Sequence, residues 1–337
     1  MLLNENEIKA VGCLVGGAVG DALGYPVEFY SDELIFKKYG ERGITEYRLT
    51  NGSAQISDDT QMSMFTAEGL LDASGDDGVV ASVYKAYLNW LKTQNCDAPV
   101  SATGLLSIPA LYSCRAPGNT CLGALESGMC GTLDYPINRS KGCGGVMRVA
   151  PIAVYCYNRG ISCADAAMLG ARVSAITHGH ELGYIPSAFL VHIIYRILEG
   201  AELSFAVDDA IRTLPTMFPA SEYMSEALDL LNRAVALAAQ DCDDLDGIRE
   251  LGGGWVAEQT LAIAVYCALK HQDSFEDTVI AAVNHSGDSD STGAVAGNII
   301  GAYLGVKSIP KKYLDGLELL ETIVPLTLRL CASDTTC

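Results

Sequence analysis

Apolar residues recur at intervals of three and four along most of this chain, and this spacing constrains the fold more than any other feature. The series Val83, Tyr87 and Trp90 illustrates it, since these residues would form one buried stripe on a helix. Alternating runs of apolar and polar residues, which are typical of strands, are scarce, and the best candidate is residues 44–49. We therefore predict an all-α fold without a large sheet.

The periodic segments predict helices joined by short connections. The helices are placed at 6–23, 60–73, 79–94, 119–130, 145–157, 162–177, 183–199, 204–213, 221–240, 255–271, 275–284, 291–304 and 311–321. Connections such as Asp76-Asp77-Gly78 are short, and no proline- or serine-rich linker interrupts the series. Hydrophobic residues make up 49 % of the chain, which is sufficient for a well-buried core. We expect residues 1–337 to form one compact domain.

Charge narrows the range of partners. The chain has 22 Lys and Arg against 41 Asp and Glu, a formal net charge of −19, so neither nucleic acid nor a membrane is an expected partner. The amino end, MLLNENEIK, lacks the basic and apolar regions of a signal peptide, and no uninterrupted apolar run reaches about 18 residues. The twelve cysteines are scattered without a CxxC pair and are interpreted as reduced. We expect a cytoplasmic monomer.

Small residues are concentrated in the first predicted helix and in the helix at 291–304. Gly12 and Gly16 lie in the first, and Gly293 and Gly297 lie in the second. Because glycine inside a helix costs about 1 kcal/mol relative to alanine, such clusters imply close helix packing or backbone beside a ligand. Packing is the favoured interpretation for most of them, but acidic residues adjoin both clusters and keep the ligand interpretation open.

Two acidic stretches each precede a predicted helix: Ser57-Asp58-Asp59-Thr60 and residues 287–292. Capping alone could explain either stretch, since Asp, Ser and Thr are favoured N-caps and acids are stabilised at the positive end of a helix. A cap, however, needs only one such residue.

The alternative to capping is a site for two divalent cations, which would neutralise four carboxylates brought together by the fold. The candidate ligands are Ser57, Asp58, Asp59, Asp288, Asp290 and Ser291. Ligation by oxygen alone favours Mg²⁺, Mn²⁺ or Ca²⁺ over Zn²⁺. Because the two stretches are far apart in the chain, the residues alone leave capping and metal binding as equal alternatives.

Six motifs, in family order, resemble the ADP-ribosylglycohydrolase family. They are GGAVGDALGYPVEF (16–29), SDDTQM (57–62), APGNTC (116–121), GCGGVMRVAPIA (142–153), THGH (177–180) and HSGDSDSTGAVAGNIIGAYLG (285–305). The resemblance implies an all-α fold, a centre of two Mg²⁺ or Mn²⁺ ions at the base of a cleft, and hydrolysis of an ADP-ribose glycosidic bond. It also implies that the partner is an ADP-ribosylated protein or another ADP-ribose conjugate.

The resemblance implies roles for individual residues. The family's first set of metal ligands matches Ser57, Asp58 and Asp59, and its second set matches Asp288, Asp290 and Ser291. Glu28 matches a position associated with the substrate and metal cleft. The residues that could accept a proton from the attacking water are Asp58, Asp59 and Glu28, and the sequence does not choose among them.

A glycine-rich turn is the candidate site for the diphosphate of ADP-ribose. Gly142-Cys143-Gly144-Gly145 precedes a predicted helix, where backbone N–H groups can cradle phosphates. Arg148 could pair with a phosphate or form a structural ion pair. His178 and His180 could simply close a helix, but the resemblance places His178 near the pocket.

The resemblance also implies the most specific functional prediction, removal of ADP-ribose from arginine, because family members with a similar sequence act on that linkage. Hydrolysis of serine-linked or O-acyl-ADP-ribose is the alternative within the same class. A non-catalytic, ADP-ribose-binding or structural relative is disfavoured because both acidic clusters are complete, and a calcium-binding protein without activity is disfavoured by the glycine-rich turn.

Overall fold

The structure is a computed structural model that describes residues 3–73 and 78–332. Within these residues the chain forms sixteen α-helices and one antiparallel pair of short strands, which confirms the all-α prediction. The helices are α1 (Glu5–Gly24), α2 (Asp32–Tyr39), α3 (Asp58–Leu71), α4 (Val79–Asn95), α5 (Asn119–Glu126), α6 (Ala150–Asn158), α7 (Cys163–Ala175), α8 (Glu181–Leu198), α9 (Leu203–Met217), α10 (Met224–Ala238), α11 (Asp244–Leu251), α12 (Ala257–Lys270), α13 (Phe275–Val283), α14 (Ser289–Leu304), α15 (Lys311–Leu314) and α16 (Leu320–Cys331). The strands are β1 (Leu49–Thr50) and β2 (Ser53–Ala54). The connection predicted at Asp76 and Asp77 lies outside the described residues.

The predicted extended segment, residues 44–49, is irregular except at its last residue, Leu49. The side chain of Asn284 explains the difference. It accepts a hydrogen bond from the N–H of Ile44 (2.7 Å) and donates one to the carbonyl of Ile44 (3.0 Å). Backbone groups that a strand would use for pairing are therefore bonded to a side chain of another element.

The carboxyl-terminal part of the chain also differs from its prediction. The predicted helix 311–321 is wrong beyond Leu314, because the chain turns through Gly316 (φ 107°) and Leu319 (φ 60°) before α16 begins. The helices α2, α11 and α16 were not predicted. The start of α2 could have been predicted from Ser31, because serine is a favoured N-cap and its hydroxyl caps this helix.

The predicted helix 145–157 is divided in two. Cys143–Arg148 forms a 3₁₀ helix, and α6 begins only at Ala150. Pro151 lies in the first turn of α6, where its missing N–H leaves no hydrogen bond unmade. The glycine-rich turn therefore leads into a tight 3₁₀ helix and not directly into an α-helix.

Helices α1 and α14 pack antiparallel with their backbones in contact. The facing pairs are Gly12 with Gly301, Gly16 with Gly297 and Gly20 with Gly293. A Cβ atom on Gly20 would lie 1.9 Å from the carbonyl oxygen of Gly293, so no side chain fits between the helices. This geometry confirms the packing interpretation of the glycine clusters. It also places the end of α1 beside the start of α14.

Two apolar helical segments, Glu5–Val27 and Glu181–Leu198, are long enough to cross a membrane. Their most apolar stretches are 89 % and 83 % buried within the fold, against the other helices. Both segments therefore serve as central elements of the hydrophobic core in this structure.

Replacing Gly297 by alanine is expected to destabilise the protein. The new Cβ atom would lie 2.1 Å from the carbonyl oxygen of Gly16, and overpacking of this kind costs typically about 1–3 kcal/mol. This cost exceeds the gain of about 1 kcal/mol in helix propensity. Urea unfolding of the Gly297→Ala variant measures the net loss of free energy of unfolding.

The matched control is Gly123→Ala in α5, where a Cβ atom would meet nothing within 4 Å. This variant should be as stable as the wild type or slightly more stable. A Gly297→Ala variant that behaves like the control would show that the two backbones are not in contact.

Candidate active site and metal centre

Asp21 ties the start of α3 to α1. Its buried carboxylate accepts hydrogen bonds from the backbone N–H groups of Ser57 (2.9 Å) and Thr60 (3.1 Å), and also from the hydroxyl of Thr60. N–H groups at the start of a helix have no partner within the helix. Asp21 supplies that partner and thereby holds the amino end of α3 against α1.

The amino end of α3 carries two further carboxylates. Ser57 is the N-cap, since its hydroxyl accepts a hydrogen bond from the N–H of Asp59 (3.3 Å). Asp58 accepts a hydrogen bond from the N–H of Gly118 (3.3 Å), and both Asp58 and Asp59 are almost completely buried. Because Ser57 and Asp21 already satisfy the end of the helix, capping does not account for the other two acids.

A second pair of carboxylates lies at the start of α14. Asp288 is the N-cap of α14. The N–H of Ser291 donates hydrogen bonds to the carboxylates of both Asp288 (3.4 Å) and Asp290 (3.0 Å). The thiol of Cys143 donates a hydrogen bond to Asp288 (2.7 Å), and the N–H of Asp288 donates to the carbonyl of Gly253 (2.8 Å). The loop before α12 and the glycine-rich turn therefore both help to position this pair.

The two acidic stretches meet, and Glu28 joins them. Asp58 and Asp59 line the same cleft as Asp288 and Asp290. Carboxylate oxygens of Glu28, Asp288 and Asp290 all lie within 4.8 Å of one another. Glu28 directly follows the 3₁₀ turn Tyr25–Val27 that continues α1. Residues from both ends of the chain thus form one acidic cluster.

Burial and mutual repulsion raise the pKa of carboxyl groups in this cluster. Burial first, and then Asp290 and Asp288, raise the pKa of Glu28 to about 10. Burial and then Asp290 also raise the pKa of Asp58 and Asp59 well above the usual range. Crowded, buried carboxylates of this kind are stabilised in the ionised form by a bound cation.

Two oxygens of the cluster, Oε2 of Glu28 and Oδ1 of Asp59, are buried without a hydrogen-bond partner. Such atoms are rare in proteins and indicate a role in binding. The surrounding donors are carboxylate and hydroxyl oxygens, the ligands that hard divalent cations prefer. The residues present therefore fit a divalent metal centre.

The acidic cluster lines a cleft of about 630 Å³, including its open mouth. This volume is typical of sites for small organic ligands, which span roughly 300–1,000 Å³. The predicted site residues that line it are Glu28, Asp58, Asp59, Gly142, Cys143, Gly144, His178, Asp288, Asp290 and Ser291. Ser57 is buried beside the cleft without lining it. Gly145 does not line the cleft either, because its backbone packs against the side chain of Ser174. A Cβ atom on Gly145 would lie 2.1 Å from the Oγ atom of Ser174.

The glycine-rich turn offers fewer free N–H groups than predicted. The N–H of Gly142 donates to the hydroxyl of Ser140, and the N–H of Cys143 donates to the carbonyl of Trp255, both at 3.3 Å. These two groups hold the turn in place and are engaged before any ligand binds. Gly142 and Cys143 therefore have no free N–H group to offer a ligand.

His178 lines the cleft as a neutral imidazole. Burial, followed by the charge of Arg148, lowers the pKa of His178 to about 3, and its Nδ1 is hydrogen-bonded to the hydroxyl of Thr177 (2.8 Å). His180 has a different place from the one predicted. It does not end a helix but begins α8, where its Nδ1 accepts a hydrogen bond from the N–H of Leu182 (3.0 Å).

Arg148 lies in the core and does not line the cleft. Its guanidinium is 4.3 Å from the ring centre of Tyr87 and donates hydrogen bonds to the hydroxyl of Thr177 (2.6 Å) and the thiol of Cys121 (3.3 Å). Among the described residues no carboxylate forms an ion pair with it. Neither predicted role, phosphate partner or ion-pair member, is therefore found, and contact with an aromatic face stabilises the charge instead.

Two residues that shape the site were not predicted from the sequence. Asp21 organises the start of α3, and its signal was an acid inside an otherwise apolar, glycine-rich helix. Trp255 lines the cleft directly after three consecutive glycines, where no periodic pattern marks its position.

This fold and site define a class: a helical protein whose cleft gathers buried carboxylates suited to divalent cations. The chain matches the ADP-ribosylglycohydrolase family over residues 4–336, and it belongs to that family. Members of the family are hydrolases that act on glycosidic bonds, so the chain is an enzyme of this kind.

Several characterised relatives are similar over most of their length. The ADP-ribosyl-[dinitrogen reductase] glycohydrolase of Rhodospirillum rubrum is 26 % identical, with 92 % of this chain and 90 % of the relative covered. The ADP-ribosylarginine hydrolase Tri1 of Serratia proteamaculans is 26 % identical, with 95 % and 78 % covered. The ADP-ribosylhydrolase ARH3 of Danio rerio is 26 % identical, with 95 % and 89 % covered.

A solved structure described as an ADP-ribosylglycohydrolase-related protein complex has the same fold. Its TM-score is 0.65, its sequence identity is 24 %, and 98 % of this chain and 99 % of that chain are covered. The agreement covers nearly the entire chain and supports the fold described above.

Divalent cations are expected to stabilise the protein through the acidic cluster. A ligand at about 100 times its dissociation constant stabilises a protein by about 2.7 kcal/mol. The thermal midpoint should therefore rise with Mg²⁺ or Mn²⁺ in the wild type and much less in Asp290→Asn, whose helical circular dichroism should remain. Differential scanning calorimetry with and without EDTA measures the effect.

Asp229→Asn, which changes an exposed acid on α10, is the matched control and should retain the full response to the metal. Equal stabilisation of the Asp290→Asn variant and this control would show that the cations bind elsewhere.

Proposed function

We propose that the protein binds two Mg²⁺ or Mn²⁺ ions and hydrolyses the N-glycosidic bond between ADP-ribose and an arginine side chain of a modified protein. The observation that carries this proposal is that one cleft is lined by Glu28 and by two pairs of carboxylates, Asp58 with Asp59 and Asp288 with Asp290. One oxygen of Glu28 and one oxygen of Asp59 are buried there without a hydrogen-bond partner. The choice of arginine is supported by the relatives named ADP-ribosylarginine hydrolase.

The count of two ions follows from charge and ligand type. Four carboxylates at the amino ends of two helices balance two divalent cations. The proposed ligands are Ser57, Asp58, Asp59, Asp288, Asp290 and Ser291. When bound, such ions supply positive charge that orients the ribose hydroxyls and lowers the pKa of a water molecule.

Glu28 is proposed to accept the proton of the attacking water. Of the three candidates, Asp58 already accepts a hydrogen bond from Gly118, whereas Glu28 and Asp59 each keep an unbonded oxygen. Asp59 lies in the first turn of α3 and is proposed as a metal ligand, while Glu28 follows a 3₁₀ turn outside both helix ends. As the water oxygen bonds to the anomeric carbon, its proton would pass to Glu28. The bond to the acceptor nitrogen would break with its electron pair on that nitrogen, so that the guanidinium of the substrate would leave as a neutral guanidine.

The diphosphate is proposed to lie beside Gly144 and His178. Both residues line the cleft, and Gly144 brings its backbone close, since a Cβ atom there would lie 3.1 Å from the His178 ring. A neutral imidazole whose Nδ1 is bonded to a hydroxyl can still use its other nitrogen as a hydrogen-bond partner.

The acceptor is tested by release of ADP-ribose from arginine-, serine- and glutamate-linked substrates in the presence of Mg²⁺ or Mn²⁺. We expect turnover of the arginine-linked substrate to be fastest and to stop when EDTA is added. Preferential release from serine or from O-acyl-ADP-ribose would assign the protein to the other linkage, and no release from any substrate would refute the catalytic proposal.

The role of Glu28 is tested by Glu28→Gln, which keeps the size of the side chain and removes its basic oxygen. Loss of a general base lowers kcat by typically about 10²–10⁴-fold. Binding of free ADP-ribose, measured by calorimetry, should change little, and Glu33→Gln on the exposed side of α2 should leave both quantities unchanged. A Glu28→Gln variant with wild-type kcat would exclude Glu28 as the base.

A further inference from the structure

Two exposed aromatic residues stack on each other at the acidic cluster. Phe29 is 73 % exposed and Trp255 is 46 % exposed, yet their ring centres are 5.9 Å apart with an angle of 21° between the planes. Large aromatic side chains dominate core packing, so a stacked pair left in contact with water needs another explanation. Trp255 also lines the cleft, which connects the pair with the candidate active site.

The backbone around Trp255 is fixed from two sides. The carbonyl of Trp255 accepts a hydrogen bond from Cys143, and the next residue, Val256, forms a bridge with Gly142. The carbonyl of Gly253, two residues before Trp255, accepts a hydrogen bond from the N–H of Asp288. The backbone that carries the indole is therefore held by the glycine-rich turn and by the start of α14.

The pair lies at the metal end of the cleft. Phe29 directly follows Glu28, and a Cβ atom on Gly254, the residue before Trp255, would lie 3.4 Å from the Cβ atom of Asp288. A ribose held at the carboxylate cluster would place its anomeric carbon, and so the departing acceptor group, at this end. The adenine is separated from that point by a diphosphate and a second ribose.

The surroundings of the pair favour a planar cation. Glu28, which directly precedes Phe29 and is not among the proposed metal ligands, contributes a carboxylate beside the pair. The aromatic rings present the electron-rich faces on which guanidinium groups stack. We infer that Phe29 and Trp255 form the acceptor subsite, which receives the guanidinium of the modified arginine and determines specificity for it. This inference rests on the proposed function, because it assigns the acceptor of that same reaction.

The kinetic test compares Trp255→Leu with Trp255→Phe, which retains an aromatic face. For the arginine-linked substrate we expect KM to rise about tenfold in Trp255→Leu, in the range of cation–π interactions, and to be largely restored in Trp255→Phe. The affinity for free ADP-ribose, measured by calorimetry, should be unchanged in both. An unchanged KM, or an equal loss of ADP-ribose affinity, would overturn the inference, the latter because the ring would then contact the nucleotide.

A second measurement does not depend on catalysis. The chain has only two tryptophans, and Trp90 is buried, so Trp255 is the exposed fluorophore. With Mg²⁺ present, agmatine, a guanidinium compound without a glycosidic bond, should quench this fluorescence at a saturable site. The diamine 1,4-diaminobutane, which carries the same two positive charges without the planar guanidinium group, should not. Phe29→Leu should raise the half-saturating concentration severalfold, and Phe205→Leu, which removes an exposed aromatic ring on α9, should not.

The two measurements separate the failure of this inference from that of the proposed function. Saturable quenching by agmatine without hydrolysis of the arginine-linked substrate would refute the proposed reaction but support the guanidinium site. Hydrolysis of that substrate without quenching, or with quenching equal for both amines, would refute the guanidinium site and leave the reaction standing.

Discussion

The contact between the backbones of α1 and α14 is the constraint on which the rest of the structure depends. Glycines at every fourth position of both helices let the two backbones touch along about three turns. The contact continues to Gly24, where a Cβ atom would lie 2.7 Å from the Cα of Asp290. A contact this close permits almost no sliding or rotation, because backbone atoms cannot give way as flexible side chains can. It therefore sets the distance between the turn that carries Glu28 and the start of α14. Asp21, on the same helix, then fixes the start of α3 against this pair.

This arrangement concentrates negative charge where proteins rarely tolerate it. Carboxylates from three elements are buried together, and Asp290 raises the pKa of Glu28, Asp58 and Asp59 in addition to the effect of burial. The rigid contact between α1 and α14 holds these carboxylates in place despite their mutual repulsion. A divalent cation bound among them would replace that repulsion with coordination to the metal. The neutral His178 and the buried Arg148 show that positive charge is kept out of the cleft itself, which leaves the cluster to attract cations.

Much of the fold follows from the sequence because most helices carry a regular apolar stripe. The exceptions have local physical causes: the 3₁₀ helix at Cys143–Arg148 precedes a proline, and the backbone of Ile44 is hydrogen-bonded to the side chain of Asn284. The candidate ligands could be named from their residue types, but the choice between capping and metal binding could not be made. That choice depends on whether two distant helix ends meet, and the meeting depends on tertiary contacts. Trp255 was missed for the same reason, since only the fold brings it to the cleft.

Anomalous diffraction from crystals grown with Mn²⁺ tests the central claim most directly. The account predicts anomalous peaks between the amino ends of α3 and α14, coordinated by carboxylate oxygens of Asp58, Asp59, Asp288 and Asp290. Peaks located elsewhere, or an ordered cluster that binds no ion at saturating Mn²⁺, would contradict it.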